Sequence, residues 1–148
     1  MKITITYVSN YGSRDTTILY IDLGFIHKGE LFICGRLKDM IIVRGRNFYP
    51  QDIERCVEEQ DSRIRQGCTA AFSVSKSDGE EEIVILTELR DPKLLSRADL
   101  EGLCGDIRAR IVRDMGVAPQ VVVLLRPRTV SKTSSGKIQR SKNKQRYL

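Results

Sequence analysis

"GRLKDMIIVRGRNFYPQDIE" (residues 35–54) sets charged clusters at both ends of a short apolar run and then opens a helix. The run "MIIVRG" (40–45) reads as a short strand expected to be buried. Arg36, Lys38, Asp39, Arg44 and Arg46 bracket it. One reading is a surface strand with ion pairs, each worth about 0–1 kcal/mol. The other is a turn whose Arg36 reaches an anion or a sugar hydroxyl bidentately. Spacing leaves both open. Pro50 then suits a first helical position, with Asp52 and Glu54 in the first turn. Ile53 and Val57 share one face of that helix.

Working outward, "GFIHKGELFICGR" (24–36) is two apolar runs split by Lys28-Gly29, which predicts a β-hairpin. "CTAAFSVSKSDGEEEIVILTELR" (68–90) predicts two strands around Ser77-Asp78-Gly79. Ser96 and Asp99 form a capping box for a helix of about five turns, with Leu100, Leu103, Cys104, Ile107, Ile111 and Met115 as its core face. Gly116 should stop it. "QVVVLLRPRTV" (120–130) reads as another buried strand, broken at Pro127, and residues 138–147 as a final basic helix. The sum is an α+β domain: an N-terminal β-hairpin and a three-stranded sheet packed by helices. "ITITYVS" and "TTILYI" in the first twenty residues are possible strands without a functional mark.

A chain of 148 residues is most economically one domain and can bury roughly two-thirds of its unfolded surface. The apolar fraction of 41% and charged fraction of 30% suit a soluble globular protein. No apolar run approaches the roughly 20 residues of a membrane span, and "MKITITYVSNYGS" lacks a signal-peptide layout, so a cytoplasmic protein is expected. Cys34, Cys56, Cys68 and Cys104 are scattered, and His27 is the only histidine. Reduced thiols and no metal site are therefore expected. The net charge of +6 lies in the tail: Lys132, Lys137, Arg140, Lys142, Lys144 and Arg146 fall in an acid-free segment, leaving 19 of the 25 basic residues against 19 acidic ones. Such a tail suits nucleic acid, an acidic protein or a phosphorylated ligand equally.

Within that tail, "VSKTSSGKIQRSK" (130–142) places Lys137 after a glycine and near Ser134 and Ser135. Read as a flexible loop, it could swing an ammonium into a site; read blandly, it is a disordered basic end. It is not a Walker loop, because position 131 is serine where that pattern needs glycine.

"LGFIHKGELFICGRLKDMIIVRGRNFYPQDIE" followed about 80 residues later by "TVSKTSSGKIQRS" resembles the C-terminal lid domain of the adenylate-forming enzymes, which include acyl-CoA synthetases, luciferases and nonribosomal adenylation domains. "RGRNFYPQDIE" is most similar to the fatty acyl-AMP ligases; acyl-CoA synthetases tend to carry Gly-Tyr-Arg or Gly-Glu-Asn there. The resemblance spans about residues 22–148 and leaves 1–21 unassigned. It implies that Lys137 is the adenylation lysine, that Asp22 and Arg36 contact the nucleotide, and that Lys38 and Asp39 form the hinge of lid rotation. It also implies that Gly45, Arg46 and Asn47 face the pantetheine arm. Lys132 and the tail helix would be supports, with Lys142, Lys144 and Arg146 available to an acidic carrier protein. Leu19-Tyr20-Ile21 precede Asp22 where the family has Arg-Thr-Gly.

The resemblance implies a complete enzyme using ATP and Mg2+, a fatty acid, an N-terminal adenylation domain and an acyl carrier protein with its phosphopantetheine arm. The phosphate loop, adenine pocket, acyl tunnel and magnesium-binding acid of that N-terminal domain have no counterpart in these 148 residues. This chain alone is therefore expected neither to bind a cofactor nor to adenylate a fatty acid. Two other readings stand beside it: a non-catalytic docking or regulatory fragment, and a basic-tailed nucleic-acid module. Against the latter, Tyr147 is the only aromatic residue in the tail, where single-strand binders use stacking platforms.

Overall fold

Lys28 and Gly29 make the hairpin turn their sequence predicts, both with positive φ (50° and 82°), as a tight two-residue connection requires. They join β2 (Thr17–His27) to β3 (Glu30–Arg36), and β1 (Lys2–Asn10) pairs antiparallel with β2 to complete a β1-β2-β3 sheet. The computed structural model describes residues 2–10, 17–76 and 79–148. Both apolar segments of the first twenty residues are thus strands, with Thr16 and the predicted turn residues Ser77 and Asp78 outside the described residues. A register shift between Leu23 and Gly24 leaves Asp22 directly across from Arg36. A single 3-10 turn, Leu37–Asp39, follows. This sheet and turn form one compact unit, Met1–Met40; the second is Ile41–Leu148.

The second unit begins with β4 (Ile41–Val43), turns at Arg44-Gly45 and returns as β5 (Arg46–Phe48). The sequence reading missed β5 and expected β4 to be buried throughout. Ile41 and its cross-strand partner Phe48 are buried, but Ile42 is 53% exposed. A two-stranded ribbon turns alternate side chains to opposite faces, and only one face here meets the core. Helix α1 (Pro50–Glu58) starts with proline at its first turn and buries Ile53 and Val57 completely.

Strands β6 (Ile64–Ser75) and β7 (Glu81–Leu89) pair antiparallel, α2 (Arg97–Met115) crosses over, and β8 (Val121–Leu125) joins β7 in parallel. A parallel neighbour needs such a crossover. The Ser96–Asp99 capping box is formed in both directions, and Gly116 ends α2 at φ 67°. β8 is an edge of its sheet, so Val122 is buried while its neighbours are half-buried, a narrower burial than the apolar run suggested.

The apolar runs of β6 and β7 are continuous because both sheet faces are covered. One face (Ala71, Ile83, Ile85, Val122) packs on α1, α2 and the β4–β5 ribbon through Ile53, Val57, Leu103, Ile107, Ile111 and Phe48. Each such large side chain contributes about 1.5–3 kcal/mol by burial. The other face gathers Ala70, Phe72, Val84, Leu86 and Val130, with Ile138 packed against them. Helix α3 (Arg140–Tyr147) covers part of it, Tyr147 meeting the Phe72 ring edge-on at 5.9 Å. Val130 and Ile138 therefore root both legs of the Lys137 segment in one apolar cluster. No helix among the described residues is long and apolar enough to cross a membrane.

Candidate functional site

The segment carrying Lys137 is a tight turn instead of the flexible loop its serines and glycine suggested. Lys132 and Ile138 form an antiparallel bridge. Inside it, Thr133 N–H donates to Lys137 O (2.9 Å) and Gly136 N–H to Thr133 O (3.0 Å). The Thr133 hydroxyl accepts from Lys137 N–H at 3.0 Å and lies 3.0 Å from the Ser135 hydroxyl. Gly136 takes φ 82°, the left-handed conformation that closes the turn. The backbone of Lys137 is held, its side chain is exposed, and among the described residues no hydrogen bond or ion pair reaches its ammonium. The turn thus fixes where the side chain begins and leaves its ammonium available to an anion.

Three buried polar side chains support this turn; of these the sequence reading named only Glu54, as a first-turn acid of α1, whereas it lies past the first turn and points inward. Glu88, 1% exposed, accepts from Val130 N–H (2.8 Å) and from Arg65 Nη1 (2.8 Å). Burial pushes its carboxyl up, but the backbone N–H groups of Val130, Arg128 and Thr129 and the Arg65 guanidinium outweigh burial, so it titrates below the usual glutamate range. Glu54 holds Arg140 bidentately (2.7 and 2.6 Å) and also accepts from Ala71 N–H. Asn143, 2% exposed, bonds to both N–H and C=O of Ser131. The available signal was an acid inside the apolar run "IVILTEL": a buried charge demands partners.

Internal bonding also thins the basic tail. Arg140 is paired with Glu54, and Arg146 donates to Thr129 O (2.8 Å) and the Ser131 hydroxyl (3.1 Å). Lys132 Nζ lies 3.1 Å from Cys68 Sγ. Cys56, Cys68 and Cys104 are free thiols, and burial pushes the Cys56 and Cys104 thiols up, away from reactivity. Among the described residues no group of three or more His, Cys, Asp or Glu is arranged to hold a metal ion.

The remaining predicted residues lie in two places. At the β4–β5 turn, Gly45 has φ 72° and Asn47 is exposed. The Arg46 side chain turns to the end of α2, donating to Met115 O (2.9 Å) and Gly116 O (3.2 Å), with its guanidinium 5.1 Å from the Phe48 ring centre. In the first unit, Asp22 and Arg36 are cross-strand partners, and Lys38 and Asp39 occupy the 3-10 turn that follows Arg36. Asp39 lies next to Met40, where that unit ends.

The Disco-interacting protein 2-like AMP domain matches residues 38–148 of this chain. The chain is 42% identical over 127 residues to the medium-chain-fatty-acid–[acyl-carrier-protein] ligase JamA of Moorena producens, covering 86% of this chain and 21% of that protein. Among solved structures it is similar to McyG A-PCP complexed with phenylalanyl-adenylate: TM-score 0.75, 32% identity, 87% of this chain and 23% of that one. It is similar as well to a structure from work on the fatty acyl-adenylate ligases of E. coli and L. pneumophila: TM-score 0.68, 38% identity, 85% of this chain and 21% of that one. The chain thus spans about a fifth of the length of the relatives it matches.

Proposed function

From the premise that this chain belongs to the Disco-interacting protein 2-like AMP-domain family of the adenylate-forming superfamily, we propose that it is the C-terminal lid of a fatty acyl-AMP ligase, with Lys137 as the residue of adenylation. The observation that carries this reading is the Lys137 turn: a backbone fixed by three hydrogen bonds presenting an exposed ammonium. Adenylation joins a fatty-acid carboxylate oxygen to the α-phosphorus of ATP and expels pyrophosphate. Both reactants are anions, and a fixed cation between them offsets their repulsion as charge redistributes in the transition state. Because the backbone that carries the cation is set before reaction, only the lysine side chain has to settle.

In this reading Asp22 and Arg36, facing each other across β2 and β3, address the ribose and phosphate of the nucleotide. Lys38 and Asp39 act as the hinge, which fits their place beside the end of the first compact unit. Gly45, Arg46 and Asn47 present the β4–β5 turn to the pantetheine arm, with Arg46 fastening that turn to α2. Magnesium arrives with ATP. An N-terminal adenylation domain completes the site, and the acceptor is an acyl carrier protein, as the similarity to JamA suggests. A nucleic-acid role is disfavoured by Arg140 and Arg146, whose charges are engaged within the fold.

ATP–pyrophosphate exchange with a fatty acid tests this, on the chain alone and after adding the N-terminal domain of a related ligase. Exchange should appear only in the mixture. Lys137→Ala should lower it about 100-fold, the scale of removing one stabilising donor from a developing oxyanion. Transfer from preformed acyl-adenylate should be spared. Silence in the mixture, or equal loss in both half-reactions, would reject the assignment.

A further inference from the structure

Lys137 sits at the end of a two-legged turn, and the position of such a tip depends on how its legs are held. One leg passes through Ser131 and the other through Gln139, whose N–H donates to Ser131 O at 3.0 Å. A single α3 side chain binds both. Asn143 Oδ1 accepts from Ser131 N–H (2.8 Å), while Nδ2 donates to Ser131 O (3.0 Å) and to Gln139 O (2.9 Å). The donor pattern is unambiguous: two carbonyl oxygens face the NH2 and one N–H faces the oxygen. Asn143 is 2% exposed, and each of its side-chain hydrogen bonds goes to backbone of the turn or of its junction with α3.

Building on the reading of Lys137 as the adenylation lysine, we propose that Asn143 is a positioning residue that sets where that ammonium stands. It never reaches substrate, and it acts by locking the spacing of the two legs. A hydrogen bond to each leg from one short, buried amide leaves little slack. A tip displaced by about 1 Å can cost as much as 100-fold in rate. The Glu54–Arg140 pair, just beyond the second leg, holds the start of α3 and keeps Asn143 at the right height.

Asn143→Asp is nearly isosteric: it keeps the acceptor for Ser131 N–H and sets a carboxylate oxygen against two carbonyl oxygens. In the chain joined with a relative's N-terminal domain, Asn143→Asp should slow adenylation by about 10-fold or more. Transfer from preformed acyl-adenylate should not change. On a Lys137→Ala background it should add nothing, because the group it positions is gone. Equal loss in both half-reactions, full activity, or a further loss on the Lys137→Ala background would overturn the proposal. Should Lys137→Ala itself leave adenylation intact, the functional reading fails, and amide exchange in this chain alone still decides the structural claim. Asn143→Asp should then cost protection at Lys137 and Gln139, whose amides depend on the spacing of the two legs, and unchanged protection at both would overturn it.

Discussion

Arg46 and Lys137 are each one residue beyond a left-handed glycine, Gly45 and Gly136, in tight turns of the same compact unit, yet their charges do different work. The Arg46 guanidinium caps the carbonyls of Met115 and Gly116 at the negative end of α2 and lies over Phe48. The Lys137 ammonium has no such engagement among the described residues, and its turn is held instead by Thr133, Asn143 and the chain around Ser131. In the first case the side chain stabilises the turn. In the second the turn holds the side chain ready, and only that arrangement leaves charge available for a ligand.

The strongest way to break this contrast is to remove what lies under the Lys137 turn. Glu88→Ala deletes a carboxylate that is 1% exposed and leaves Arg65 and the Val130 N–H without it. Arg65 is 41% exposed and can turn to solvent, so the loss is mainly the charge-assisted hydrogen bond to the buried Val130 N–H, about 2–3 kcal/mol, which chemical denaturation would read directly. Glu88 also predicts the acid response. Its folded-state titration lies below the ordinary glutamate range, so the folded chain binds fewer protons than the unfolded one as pH falls. Its contribution is complete above about pH 5 and is lost on acidification through the folded-state value. Glu88→Ala should therefore flatten stability-versus-pH in the acid range, and an unchanged profile would contradict this role.

Much of the architecture was legible because its signals are local. Ser96 and Asp99 are three residues apart, Lys28-Gly29 is a dipeptide, and Pro50 and Gly116 each mark one helix end. Lys137 stood out for the same reason. What holds it did not, because those contacts join distant positions: Val130 to Glu88 across 42 residues and Arg140 to Glu54 across 86. Strand β5 escaped notice because three residues with one inward side chain carry no periodicity. The Ser/Gly composition suggested flexibility around Lys137, whereas the Thr133 hydroxyl supplies the local bonds that order it.

A smaller effect separates the two cations themselves. Arg46→Ala removes two hydrogen bonds to helix-end carbonyls and a ring contact, a loss of about 1.5 kcal/mol in unfolding free energy. Lys137→Ala removes no side-chain bond found among the described residues, so its effect should stay within about 0.5 kcal/mol. Urea denaturation of both variants measures the difference. Equal destabilisation would mean that the Lys137 ammonium is engaged in the fold after all.

The pair of variants with the smallest expected difference in stability sharpens the comparison most. Gly45 and Gly136 have φ 72° and 82°, and a Cβ built on either meets nothing within 4 Å. Alanine at either position adds no clash, only the cost of a left-handed backbone, about 1 kcal/mol. The two substitutions should therefore destabilise the chain equally. Their effects on function should diverge. In Gly136→Ala, relaxation of the turn shifts the adjacent Lys137, so adenylation by the reconstituted enzyme should fall. In Gly45→Ala the neighbouring Arg46 stays tied to α2, and adenylation should be nearly untouched. Matched stability with unmatched adenylation would locate catalytic positioning in the second turn, whereas equal losses of activity would show that both glycines matter only through folding.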